Sequence, residues 1–128
     1  MAKTSTTRNP ARKLAVDAAR LAHDDNCQDI IVLDLHDVSP VTDYFVICTG
    51  TSARQMKSVA EHIIKMGEGQ GSKPYTVAGM SSPDWIVVDF VDVVVHIFDE
   101  THRKYYDLEL IWGESPRVNW ARRKTPDQ

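Results

Sequence analysis

A chain of 128 residues, 42% hydrophobic and 26% charged, is long enough for one domain with a real core and is ordinary in composition for a globular protein. No apolar run approaches the ~20 residues of a membrane-spanning helix, and residues 1–13 lack the apolar centre of a secretory signal. The net charge of −3 is uneven: +4 on residues 1–13 and +2 on residues 114–128 leave −9 for residues 14–113, a poor platform for nucleic-acid phosphates and a good one for a basic protein partner.

Residues 1–9 read as a flexible basic tail, residues 10–113 as a single α/β domain and residues 114–128 as a C-terminal tail with Val118 and Trp120 as anchors. Both tails carry cations that are able to touch RNA. Asn9-Pro10 has the form of an N-cap followed by proline at the first helical position. Leu14, Ala15, Ala18, Leu21 and Ala22 continue at helical spacing. Ile30 to Leu33 is a short apolar run, as expected of a strand buried on both faces. Thr42 to Thr49 is β-rich and stops at Gly50. Ser52 and Gln55 then stand in capping-box relation and open a helix with Met56, Val59, Ala60 and Ile63 on its buried side. That helix ends among Gly67, Gly69 and Gly71. Lys73 to Val77 reads as a weak edge strand, because Pro74 has no donor. Two cysteines, Cys27 and Cys48, form no disulfide framework, which points to a reducing cytoplasm.

The densest apolar sequence runs from Asp84 to Trp112. Trp85–Phe90 and Asp92–Phe98 read as successive strands with a tight turn at Val91. Asp99 caps one following helix that carries Tyr105, Leu108, Ile111 and Trp112 and stops at Gly113. The order α-β-β-α-β-β-β-α predicts a mixed sheet of about five strands with helices packed on it.

Two enzymatic readings arise from these residues. Gly50-Thr51-Ser52, between a strand and a helix, has the form of a phosphate-approaching turn, and with Asp34, Asp43, Asp89 or Asp92 it would make a nucleotide-binding or nucleotidyl-transferring site. The competing reading is a plain capped helix, and Asp89 and Asp92, three apart, lack the two-residue spacing of a metal pair on one strand. Cys48 with His96 would make a nucleophile pair. Yet Cys48 sits in a predicted buried strand, without the electropositive setting of a reactive thiol, and His96 in V-V-V-H-I-F reads as a core residue. No metal-ligand spacing is present. Trp85 and Asp89 share one strand face, and the last helix offers Arg103, Tyr106 and Glu109. Tyr, Trp and Arg are the residue types that dominate protein interfaces.

The segments T-D-Y-F-V-I-C-T-G-T-S-A-R-Q at 42–55, D-W-I-V-V-D at 84–89, D-V-V-V-H-I-F at 92–98 and R-K-Y-Y-D-L-E-L-I-W at 103–112 resemble, in order, the ribosomal silencing factor (Iojap-like) family. The resemblance covers roughly residues 10–113. It implies a nucleotidyltransferase-like fold without enzymatic activity or cofactor. It also implies binding to the large ribosomal subunit, at its intersubunit-face protein numbered fourteen, with a block on small-subunit joining and repression of translation. Relatives in organelles act in large-subunit assembly, and a homodimer fits the family. The partner contacts expected on this basis are Trp85 as apolar anchor, Asp89 and Glu109 facing cations, Arg103 facing an acid or carbonyl, and Tyr106. The chain departs from the family at Ala78-Gly79, where Glu-Gly is common, and at Val91, where Gly is common. The second departure predicts a turn that does not need a positive φ.

Overall fold

The computed structural model describes residues 9–112 and 114–122. The first eight residues of the basic tail, the expected terminator Gly113 and residues 123–128 lie outside that description. Helix α1 (Pro10–Asp24) begins as predicted: the Asn9 side chain accepts the Arg12 N–H at 3.1 Å and Pro10 takes the first helical position. Its buried stripe of Leu14, Ala15, Ala18, Ala19 and Ala22 is mostly alanine, so the helix backbone lies close to what it covers. Strands β1 (Gln28–Asp34) and β2 (Tyr44–Thr49) follow, then α2 (Ala53–Gly69), β3 (Thr76–Ala78), β4 (Trp85–Asp89), β5 (Val93–Phe98), α3 (Glu100–Tyr106) and α4 (Leu108–Trp112).

The five strands form one sheet in the order β1-β2-β5-β4-β3. Only β2 and β5 are parallel; the other neighbours are antiparallel. Helices α1 and α2 cover one face, burying Val46, Cys48, Ile86, Val88, Val95 and Ile97 with Val59 and Ile63 of α2. Each such aliphatic side chain is worth about 2 kcal/mol when fully buried. On the other face a smaller cluster of Leu33, Leu35, Ile47 and Phe98 is roofed by Trp85, Leu108 and Trp112. The two faces are therefore unequal, one closed by long helices and the other partly open.

Two expectations need correction. The segment after Asp99 is two helices. Asp107 takes a left-handed φ of 44° and its N–H closes on the Arg103 carbonyl, ending α3. The reversal turns Leu108 and Trp112 onto the sheet and leaves Tyr105, expected to cover it, exposed. Second, the β4–β5 turn does depend on a positive φ. Val91 adopts 78°, a region that costs a β-branched residue energy, and the Asp89 carboxylate holds the turn by accepting the Val91 N–H at 2.7 Å. Strand β1 is buried on both faces as expected, with Val32 and Leu33 in opposite clusters, and it forms one edge of the sheet.

The C-terminal tail covers that edge. Val118 donates its N–H to the Val32 carbonyl at 2.9 Å, and the Pro116 carbonyl accepts from the Asp34 N–H at 2.8 Å. Val118 is buried, and Trp120 packs on the core with its indole N–H on the Ile30 carbonyl at 3.2 Å. Pairing of this kind blocks a template for association with other chains. The tail cation Arg122 is bound to Asp24 at 2.9 Å.

Candidate aromatic docking face

Alternation along the strands brings Phe45 of β2, Val94, His96 and Phe98 of β5, and Trp85, Val87 and Asp89 of β4 to the partly open face. Trp85 is half-buried there. Its indole stacks on Phe98 with centroids 5.0 Å apart, and Tyr106 of α3 lies 4.5 Å away on the same ring. Gly79 makes this packing possible. It has a φ of 90°, and a Cβ at that position would meet the Trp85 carbonyl oxygen at 2.2 Å.

The Trp85 Nε1–H donates to His96 Nδ1 at 3.0 Å. An indole nitrogen is only a donor, so Nδ1 is the acceptor and the imidazole proton of neutral His96 sits on Nε2. Burial drives the His96 pKa down to about 4, which keeps the ring neutral near pH 7. The predicted structural role of His96 holds, and Phe45 adds an edge contact at 4.5 Å.

Arg103 and Glu109, expected to face a partner, face each other. Arg103 is 9% exposed; its Nε and Nη2 donate to the two Glu109 carboxylate oxygens at 2.9 and 3.1 Å, and Nη1 donates to Thr49 Oγ1 at 2.8 Å. The guanidinium holds the Glu109 carboxyl below its ordinary pKa. The reason is the break at Asp107. A buried guanidinium must be compensated, and the chain reversal brings back a carboxylate six residues on to do so. The pair ties α3, α4 and β2 together.

Trp85, Arg103, Tyr106 and Glu109 are thus brought to one end of the sheet. Asp89 is not; it lies at the opposite end of β4, roughly 13 Å along the strand, and serves the Val91 turn.

The nucleotide-enzyme reading loses its geometry. Gly50, Thr51 and Ser52 follow the C-terminal end of β2, whereas Asp34, Asp43, Asp89 and Asp92 all lie at the other end of the sheet. The separation is roughly 20 Å. Ser52 Oγ accepts the Gln55 N–H at 3.0 Å and the Gln55 side chain accepts from the Thr51 N–H at 2.9 Å, so the turn is a capped helix start. Cys48 and His96 point to opposite faces of the sheet, so they form no nucleophile pair. Near the Gly50 turn, ligand atoms of Asp84, Asp99 and His102 lie within 4.8 Å of one another. The sequence reading did not find this group because its members come together only through the fold. Asp99 caps α3 and binds both the backbone N–H and the ring of His102 at 2.8 Å, which accounts for their proximity.

Comparison with known proteins gives a consistent result. The family model described as ribosomal silencing factor during starvation matches residues 8–128. A ribosomal silencing factor of Bacillus subtilis is 38% identical over 99 residues, 77% of this chain and 84% of that protein. A mouse protein named for mitochondrial assembly of the ribosomal large subunit is 35% identical over 95 residues, 72% of this chain and 42% of its own. A crystal structure from Chromobacterium violaceum superposes with a TM-score of 0.73 at 32% identity, covering 88% of this chain and 91% of that one. On this evidence, carried by nearly the whole chain and by the fold together, the protein belongs to the ribosomal silencing factor family, whose named role is regulatory.

Proposed function

We propose that this protein binds the large ribosomal subunit at its intersubunit-face protein numbered fourteen, and that it acts in the cytoplasm by occupying the surface the small subunit needs. Translation then falls in proportion to occupancy. The observation that carries the reading is the aromatic face: Trp85, Tyr106 and the exposed Tyr105, Leu110 and Ile111 stand on or beside a sheet face that no long helix closes. Large aromatic side chains presented this way are typical interface anchors. The net −9 of residues 14–113 suits a basic ribosomal protein, and the mouse relative is named for the large subunit. Trp85 and Tyr106 supply the apolar contact in this reading, Asp89 meets a cation at the far end of the face, and the Arg103–Glu109 pair holds the face in shape.

The test is a sucrose gradient. Purified small and large ribosomal subunits are mixed under joining conditions with increasing amounts of the protein. The expected result is loss of joined ribosomes with the protein co-migrating with the large subunit. An unchanged joined peak at saturating protein would sink the reading. Trp85→Ala should weaken large-subunit binding by about 2 kcal/mol if the indole is a central anchor.

A further inference from the structure

A groove of about 650 Å³ lies at the end of the open face away from Trp85. Phe45, Val94 and Trp112 give it apolar walls, and Thr42 and His96 complete them. Val41, 75% exposed, stands on its rim with Tyr75 and Val91. Thr42 Oγ1 and His96 Nε2 are the buried side-chain polar atoms that lack a hydrogen-bond partner among the described residues. Both side chains belong to residues more than nine-tenths buried, at 7% and 6% exposure. Buried polar atoms are nearly always paired, so two unpaired ones in the wall of one groove point to whatever enters it.

The chemistry of the occupant follows from these groups. Since Trp85 occupies His96 Nδ1, the free Nε2 presents a proton and requires an acceptor. The Thr42 hydroxyl pairs with either a donor or an acceptor. Asp89 lines the groove, and Asp92 follows it across the Val91 turn, so a carboxylate or phosphate is repelled from this end. What remains is an uncharged oxygen carried on an apolar group. The same acids favour a surrounding surface of opposite sign.

We propose that this groove receives an apolar side chain of a basic protein partner, and that its wall, which closes both polar atoms from solvent in the free protein, opens on docking so that a neighbouring backbone carbonyl accepts from His96 Nε2 and meets the Thr42 hydroxyl. The inference rests on the ribosome-binding reading and deepens it by naming what docks and where. The docking face then extends from Trp85 across His96 to the groove, and the indole and the groove share one imidazole.

Labelled protein titrated with salt-washed large ribosomal subunits, and separately with protein-free large-subunit RNA, tests this. Thr42→Val conserves shape and removes the hydroxyl. Because that hydroxyl is unpaired in the free protein, the melting temperature stays level or rises, while the Kd for subunits weakens about fivefold to tenfold. Val41→Lys, at an exposed rim position, places a cation against a basic partner and weakens subunit binding also. Thr42→Val binding as tightly as the parent overturns the inference, and the parent's own binding keeps the ribosome reading standing. Tighter binding by Val41→Lys, or equal binding of the parent to protein-free RNA, overturns the protein occupant. A parent that binds no subunits removes both readings together.

Discussion

Arg103 is the residue whose substitution separates holding the docking face in shape from touching a partner. Arg103→Met keeps most of the aliphatic stem and removes the guanidinium. Glu109 then loses both of its charged donors and Thr49 Oγ1 loses a third. Breaking a buried ion pair by removing one partner costs roughly 3–5 kcal/mol. The Glu109 side chain is 32% exposed and recovers part of its hydration, which moves the expected loss to the lower end, about 3 kcal/mol. Glu109→Leu strands the more buried partner and should cost a similar amount. The double variant leaves no uncompensated charge, so its loss should fall short of the sum of the singles by about 2 kcal/mol. Urea unfolding followed by far-ultraviolet circular dichroism and by tryptophan fluorescence measures all four proteins, with linear extrapolation to water. Single losses under about 0.5 kcal/mol, within the range of ordinary surface substitutions, or strictly additive ones, refute the internal-pair argument. A single substitution that abolishes ribosome binding at full stability would instead return Arg103 to the contact surface.

Three further outcomes are expected. Val91→Gly relieves the left-handed φ of 78° at a half-exposed side chain and should raise stability by about 1 kcal/mol, read by the same unfolding assay; a loss would mean that the valine side chain holds the turn. Between pH 6.5 and about 4 the unfolded chain takes a proton at His96 that the folded chain refuses, so stability is lost as pH falls through that window, by roughly 3 kcal/mol in all. Proton NMR of the imidazole checks the cause, and a His96 that titrates near 6.5 in the folded protein contradicts it. Truncation after Ser115 removes Val118, Trp120 and the bonds to Val32 and Asp34, and should both lower the melting temperature and produce concentration-dependent association visible by light scattering.

Local chemistry was the legible part of the sequence. The Asn9 and Ser52 caps, the Asp99 cap and the period-2 strands were read correctly because each depends on residues within a few positions of one another. Val118 and Trp120 were legible as anchors because large apolar residues in a polar tail have few other uses. The turn at Val91 was legible, but its positive φ was not. Glycine announces a positive φ, but a residue forced into one by the strands on either side announces nothing, and here the register of β4 on β5 imposes the conformation. The helix break was missed for a related reason: Asp107 is an ordinary surface residue for a helix, and its left-handed turn is required only because Leu108 and Trp112 must reach the second core cluster.

That break also decides what the docking face is able to offer. On an uninterrupted helix, positions 103 and 109 lie six residues apart and face different directions, so both appeared free to meet a partner. The reversal at Asp107 folds them together, and their charge is spent on joining α3 and α4 to Thr49 of β2. The exposed side chains of these two helices include a group of four large apolar ones, Tyr105, Tyr106, Leu110 and Ile111. Docking by this face then draws its affinity from aromatic and aliphatic burial, with the acidic body supplying orientation and association rate. Salt should therefore slow binding far more than it speeds release, and stopped-flow mixing with large subunits at two ionic strengths separates the two effects. A dissociation rate that rises as steeply with salt as the association rate falls would place charged pairs, and not the rings, at the centre of the contact.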